Sequence, residues 1–203
     1  MMYEPVKNLI NELSYLPEPN VHGWLQECNK KVLDNFLSIE TTTIIELGSW
    51  LGQSAIYMAE IAPNANIYCV DHLFASENSE LALEYSKKYC PQIYKDMGEN
   101  DDFYGLFLAN VNKYADRIYA IPRFTLKGLL ELREMNINPD LIYIDADHSF
   151  QAVKDDIEAC KTLFPNAQIV GDDWNMASVK MAVRDIVDRD KIRNIENCWW
   201  EQK

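Results

Sequence analysis

Several features are missing from this 203-residue sequence, and each absence removes a class of protein. No apolar run reaches the ~18 residues of a membrane-crossing helix. The opening residues lack the basic region and apolar stretch of a secretion signal. The five cysteines, Cys28, Cys69, Cys90, Cys160 and Cys198, form neither a CxxC nor any paired spacing. An odd number without a signal segment argues for free thiols in a reducing compartment, so a soluble cytoplasmic protein is expected. Basic residues are outnumbered, with 19 Lys and Arg against 32 Asp and Glu, for a formal charge of −13. That field repels polyanions, which argues against nucleic acid and anionic membranes as partners and for a small molecule. The acidic excess either serves solubility or gathers carboxylates in a site. No tandem repeat or low-complexity tract is present, and the length suits one domain, 1–203, able to bury a sizeable core.

What is present alternates. Apolar residues at helical spacing mark helices over 5–16 (Val6, Leu9, Ile10, Leu13) and 22–37 (Trp24, Leu25, Cys28, Val32, Leu33, Phe36). These form an N-terminal helical segment, 1–40. Five short runs, apolar throughout and rich in β-branched residues, then predict strands at 42–47, 66–71, 117–121, 140–145 and 167–172. Helical stretches follow the strands at 52–62, around Leu126 to Leu132, and at 149–163 and 175–187. Buried strands alternating with helices imply an α/β, Rossmann-like, doubly wound parallel sheet with helices on both faces. Residues 192–195 and 198–200, around Glu196-Asn197, predict a short C-terminal antiparallel hairpin. The stretch 72–102 breaks the rhythm and is either a lid-like insertion or an extra pair of surface helices.

Ligands of such sheets bind outside the carboxyl ends of the strands. Strand one ends Glu46-Leu-Gly48-Ser49-Trp50-Leu-Gly52 and strand two ends in Asp71. Strand four ends Asp145-Ala-Asp147-His148, and strand five ends Gly171-Asp172-Asp173. Acidic residues are scarce in strands and costly to bury unpaired, so their recurrence at one end of the sheet points to a site. Gly48 allows a tight turn and close ligand approach, and Gly52 lets a helix begin with its N–H groups free. The spacing differs from the dinucleotide GxGxxG, and a plain strand-to-helix turn is the competing reading. Asp71, about twenty residues on, is placed to accept both hydroxyls of a ribose.

Together these motifs resemble the class I S-adenosylmethionine-dependent methyltransferases, in particular the metal-dependent O-methyltransferases of the macrocin and caffeoyl-CoA types. The resemblance runs from about Thr41 to the C-terminus. It implies that Glu46, Gly48, Ser49, Trp50 and Gly52, with Ser54 just beyond, hold the methionine part of the cofactor. It also implies that Asp71 holds the ribose, that Arg123 and Phe124 flank the adenine, and that Asp145 borders the cofactor. His72, next to Asp71, is a candidate for ribose or lid contact. The family further implies Mg2+ or another divalent cation on Asp145, Asp172 and Asp173. Oxygen donors suit such an ion, which would lower the pKa of an acceptor hydroxyl. Against this, Asp173 serves equally as a helix cap and Asp172 as a solvated strand end.

Asp147 and His148 compete for the role of base. The caffeoyl-CoA type has a lysine where this chain has His148, and in the macrocin type the aspartate matching Asp147 is the base. The expected reaction is O-methylation of a sugar or aromatic alcohol. A metal-independent methyltransferase and a noncatalytic nucleotide-cofactor-binding module are the alternatives. Homo-oligomerisation is open, since the N-terminal helices and Trp199-Trp200 suit either an interface or the core.

Overall fold

A computed structural model describes residues 3–98 and 102–203. The elements run α1 (Val6–Glu12), α2 (Glu27–Phe36), β1 (Thr43–Leu47), α3 (Gln53–Ile61), β2 (Asn66–Val70), α4 (Ser79–Tyr89), α5 (Pro91–Asp96) and α6 (Phe103–Val111). They continue with β3 (Ile118–Ile121), α7 (Thr125–Glu134), β4 (Leu141–Ile144), α8 (Phe150–Leu163), β5 (Gln168–Gly171), α9 (Ala177–Ile186), β6 (Ile192–Ile195) and β7 (Cys198–Glu201). One sheet results, ordered β3-β2-β1-β4-β5-β7-β6. β1 to β5 pair in parallel, and β7 runs antiparallel to both β5 and β6. The strand order reverses between β1 and β4, which makes their carboxyl ends the natural crevice.

Alternation along the strands fills two cores, because successive side chains leave a strand on opposite faces. Ile44, Tyr143 and Val170 join Val32, Leu33, Met58 and Phe107 on one face. Ile45, Leu47, Ile142 and Ile169 meet Leu129, Leu132, Ile157 and Val183 on the other. The expected five parallel strands, C-terminal hairpin and two helical layers are all present. Trp199, 1% exposed, belongs to the second core, so its apolar bulk serves packing.

Two helices are shorter than their periodicity predicts. α1 stops at Glu12, with Leu13 extended. α2 begins at Glu27, because the preceding residues are held by partners distant in sequence. The Asn20 N–H donates to Asn110 Oδ1 at 2.7 Å and the Leu25 N–H to Gln53 Oε1 at 3.0 Å. Gly23, a poor helix former, lies so close to Gln53 that a Cβ would fall 2.7 Å from its Oε1. Tertiary hydrogen bonds therefore replace a helical turn. Within the stretch 72–102, the described part forms two short turns, α4 and α5, and Leu73, Phe74, Ala82 and Ile93 enter the first core. Residues 99–101 of that stretch lie outside the described residues.

Candidate active site

The loop leaving β1 combines left-handed backbone with a buried charge. Gly48 and Gly52 have φ +83° and +86°, and Trp50, an L-residue, has φ +48°. A Cβ on Gly48 would lie 2.1 Å from the Asp145 carbonyl oxygen, so only glycine lets β1 and β4 end in such close contact. Below the loop Glu46 is 0% exposed. No hydrogen bond of ordinary geometry reaches either of its carboxylate oxygens, nor the Ser49 hydroxyl. Burial pushes the Glu46 carboxyl up to about 7, against the offsetting pull of Ser49, Ser54 and Cys69 around it. A buried carboxylate without a partner is a costly arrangement, and it is complementary to a cation entering the loop.

Asp71, at the end of β2, is committed to backbone. Its Oδ2 accepts from the Ser49 and Trp50 N–H groups at 3.1 and 2.9 Å, and its Oδ1 accepts from the Leu73 N–H at 2.9 Å. A carboxylate offers about four acceptor positions, so three are taken. One ribose hydroxyl fits the loop as it stands; two require the Ser49 and Trp50 amides to turn away. Burial raises the Asp71 pKa, and these amides offset the rise. Beside it, the rings of His72 and Phe124 stack with centroids 4.7 Å apart and an angle of 12°. Phe124 is 65% exposed and presents a flat apolar face to the crevice mouth. Arg123 is directed elsewhere, its Nε 3.2 Å from Glu131 Oε1, a carboxylate that also takes the Tyr3 hydroxyl.

At the ends of β4 and β5 the carboxylates divide differently from the expectation. Asp145, His148 and Asp173, all half-buried, bring one donor atom each within 4.8 Å of one another. His148 Nε2 lies 2.7 Å from Asp173 Oδ2 and 3.5 Å from Asp145 Oδ1. These two carboxylates push His148 up to about 10. Burial, with repulsion from Asp172 and Asp173, pushes Asp145 up to about 7, while His148 draws it down. The same contact lowers Asp173, which adopts φ +56°. Asp172 lies outside the trio: it is buried, and its Oδ1 accepts from Asn197 Nδ2 at 3.2 Å. Burial raises it, with Asn29 close enough to offset part of the rise. Asp147 is exposed, its Oδ1 accepting the Ser149 N–H at 2.7 Å where α8 begins. Two carboxylate oxygens and one imidazole nitrogen form a donor set suited to a divalent ion. The nitrogen fits Mn2+, Fe2+ or Zn2+ better than Mg2+, which favours oxygen.

Some residues of the site carried no recognisable signal in the sequence. Asn197, in the β6–β7 turn, donates to Asp172 and Asp173 at 3.2 Å each and accepts the Asn175 N–H at 3.0 Å. It reads in sequence as a turn residue only. His22 gave no sign of a partner either, yet its Nδ1 accepts the Trp50 indole N–H at 3.2 Å. Trp24, 52% exposed, leans on Trp50 with ring centroids 5.5 Å apart, and Tyr89 of α4 meets both rings edge-on at 6.3 and 6.5 Å. An aromatic wall thus rises beside the glycine loop.

The parallel sheet with its reversed pair of strands, the left-handed glycine loop and the acidic strand ends define a class I S-adenosylmethionine-dependent methyltransferase. Residues 45–174, more than half of the chain, match the methyltransferase domain family, and the chain belongs to it. Among solved structures it is similar to the O-methyltransferase from Bacillus cereus in complex with SAH. That match has a TM-score of 0.55 and 17% identity over 96% of this chain and 88% of that one. The O-methyltransferase NovP matches with a TM-score of 0.58 and 16% identity, covering 91% of this chain and 83% of that one. The precorrin-6y C5,15-methyltransferase from Geobacter metallireducens GS-15 gives 0.56 and 13%, covering 90% and 89%. At such identities the likeness is one of fold. No curated protein sequence matches the chain. No helix among the described residues is long and apolar enough to cross a membrane.

Proposed function

We propose that the chain methylates a hydroxyl group of a small molecule, with a divalent ion held by Asp145, His148 and Asp173. The observation that carries this reading is the convergence of those three donors within 4.8 Å at the strand ends next to the Gly48 loop. S-adenosylmethionine supplies the sulfonium methyl when bound, and the ion would lower the pKa of the acceptor hydroxyl.

The chain's own residues do the rest. Glu46, lacking a partner under the loop, complements the cofactor's positive charge, and the Gly48–Gly52 backbone admits its methionine end. Asp71 takes a ribose hydroxyl, and the exposed face of Phe124 together with His72 takes the adenine. Asp147, the exposed carboxylate outside the donor set, accepts the proton of the acceptor hydroxyl. Holding nucleophile and methyl donor in line contributes most of the acceleration. The Trp24, Trp50 and Tyr89 wall suits a ring-bearing acceptor, a sugar or an aromatic alcohol, and the α4 region is the element that would close over it. Five free, buried thiols support a cytoplasmic setting.

The test is methyl transfer to a panel of phenols and sugars with and without EDTA, alongside calorimetric binding of S-adenosylhomocysteine. Asp173→Asn is expected to abolish stimulation by added ions while leaving S-adenosylhomocysteine affinity nearly unchanged. Loss of S-adenosylhomocysteine binding instead would assign Asp173 to the cofactor pocket. One observation favours a second, metal-independent reading: protonated His148, 2.7 Å from Asp173, already provides a positive charge between the two carboxylates. Turnover indifferent to EDTA would select it.

A further inference from the structure

The far edge of the sheet presents two exposed arginines to one cavity. There Trp174, Arg184, Arg189, Ile192 and Asn194 line an open cavity of about 440 Å3 between α9, the 189–191 turn and the edge strand β6. The Arg184 guanidinium carbon sits 5.6 Å from the centre of the Trp174 ring, and Lys180 Nζ sits 5.8 Å from it. Trp174 is 7% exposed and belongs to the second core, so it is a fixed platform that orients Arg184. Neither Arg184 nor Arg189 forms an ion pair among the described residues, in a chain with 32 acidic against 19 basic residues. Among the described residues, none of the neighbouring carboxylates, Asp185, Asp188 and Asp190, lies within ion-pair distance of either guanidinium. Asp185 pairs with Lys154 at 2.7 Å, and Asp188 accepts the Asp190 N–H within its own turn at 3.2 Å. None of the acidic side chains among the described residues lines the cavity.

We propose that this cavity binds a phosphate monoester. Two guanidinium groups that form no ion pair match a group that carries about −1.5 to −2 at neutral pH, and the planar fork of arginine suits phosphate oxygens. Asn194 adds an amide donor, and the apolar part of the ester lies against Ile192 and the rim of Trp174. The site is separate from the Asp145, His148 and Asp173 cluster but adjoins it. Trp174 follows Asp173 directly, and its N–H donates to the carbonyl of Asn197, the residue that also holds Asp172 and Asp173.

Calorimetry with phenyl phosphate, inorganic phosphate and phenol on the intact chain tests the proposal. One-to-one binding of phenyl phosphate is expected, tighter than inorganic phosphate, with no binding of phenol. Arg189→Met, on an exposed turn away from the core, should weaken it by roughly tenfold or more, the usual size of a lost charge-assisted bond. Arg184→Met should do the same, with thermal melting checking that Trp174 still packs. Lys31→Met, on the distant helix α2, should leave the affinity unchanged. The proposal is overturned if phenyl phosphate does not bind at millimolar concentration. It is equally overturned if both arginine variants bind it normally, if Lys31→Met weakens it as much as they do, or if inorganic phosphate binds as tightly as the ester.

Discussion

Gly48 and Gly52 have nearly the same left-handed φ, yet alanine should affect them unequally. At either position an alanine in that conformation costs roughly 1–2 kcal/mol. The remainder depends on what the new methyl meets. At Gly48 it would fall 2.1 Å from the Asp145 carbonyl oxygen and 2.7 Å from the Ala146 Cα, both backbone atoms at the end of β4. That end is pinned, since the Asp145 N–H donates to the Leu47 carbonyl at 2.8 Å. Relief requires β1 and β4 to separate, a strain of the overpacking kind worth about 1–3 kcal/mol. At Gly52 the methyl would meet Val111 Cγ1 at 2.8 Å and Phe107 Cε2 at 3.2 Å, both side-chain atoms with room to adjust. Gly48→Ala should therefore lose about 2–5 kcal/mol, against about 1–2 kcal/mol plus a smaller packing term for Gly52→Ala. For a chain of this size each kcal/mol lowers Tm by roughly 2–4 °C. Urea unfolding at constant m-value reads the difference, and calorimetry with S-adenosylhomocysteine reads the site. Only Gly48→Ala should also weaken divalent-ion binding, because the clash acts on the residue that bears Asp145. Equal stability of the two variants, or a milder Gly48→Ala, would refute the close-contact argument.

Asn197→Ala removes two hydrogen bonds to carboxylates, at 3.2 Å each, and should cost about 2 kcal/mol in unfolding free energy. The same variant should weaken divalent-ion binding roughly tenfold, as loss of a ligand-orienting contact does, without altering the sheet's circular dichroism. Asp156, buried on α8 with the Thr125 hydroxyl alone, among the described residues, donating to it at 2.5 Å, is pushed up to about 6 by burial. Its folded pKa exceeds its unfolded value, so the folded state binds the extra proton. This group's contribution therefore destabilises the fold above about pH 6 and vanishes as the pH falls below about 4. Asp156→Asn should be more stable than the parent at pH 8, by on the order of 2–3 kcal/mol at most, with the two converging near pH 4 in urea titrations. A constant difference across that range would count against the burial argument. Trp50→Gly should relax the φ +48° strain yet lose the indole contact to His22 and the ring packed on Phe103 and the first core, so weaker tryptophan emission, weaker acceptor binding and a net loss of stability of about 1–3 kcal/mol are expected.

Much of this was legible in the linear chain, for definite reasons. Strand positions, the doubly wound order and the terminal hairpin follow from local patterns: runs of β-branched residues closed by glycine or aspartate, and helices between them. Because a parallel sheet puts every strand's carboxyl end on one side, Glu46, Asp71, Asp145 and Asp173 were bound to converge once those strands formed. Which of their donor atoms approach one another was decided only in three dimensions. Asn197 holds Asp172 and Asp173 alike, yet it is Asp173 that closes on His148, which comes in from the β4 loop. Asp71 gives three of its acceptor positions to backbone amides from two loops, which no spacing reveals. The start of α2 shifted from 22 to Glu27 because Gln53 and Asn110 capture the chain before it. Local propensity and periodicity act over a few residues and so can be read in order. Hydrogen bonds between residues far apart in sequence exist only after the sheet has brought their elements together, and on those the geometry of the site depends.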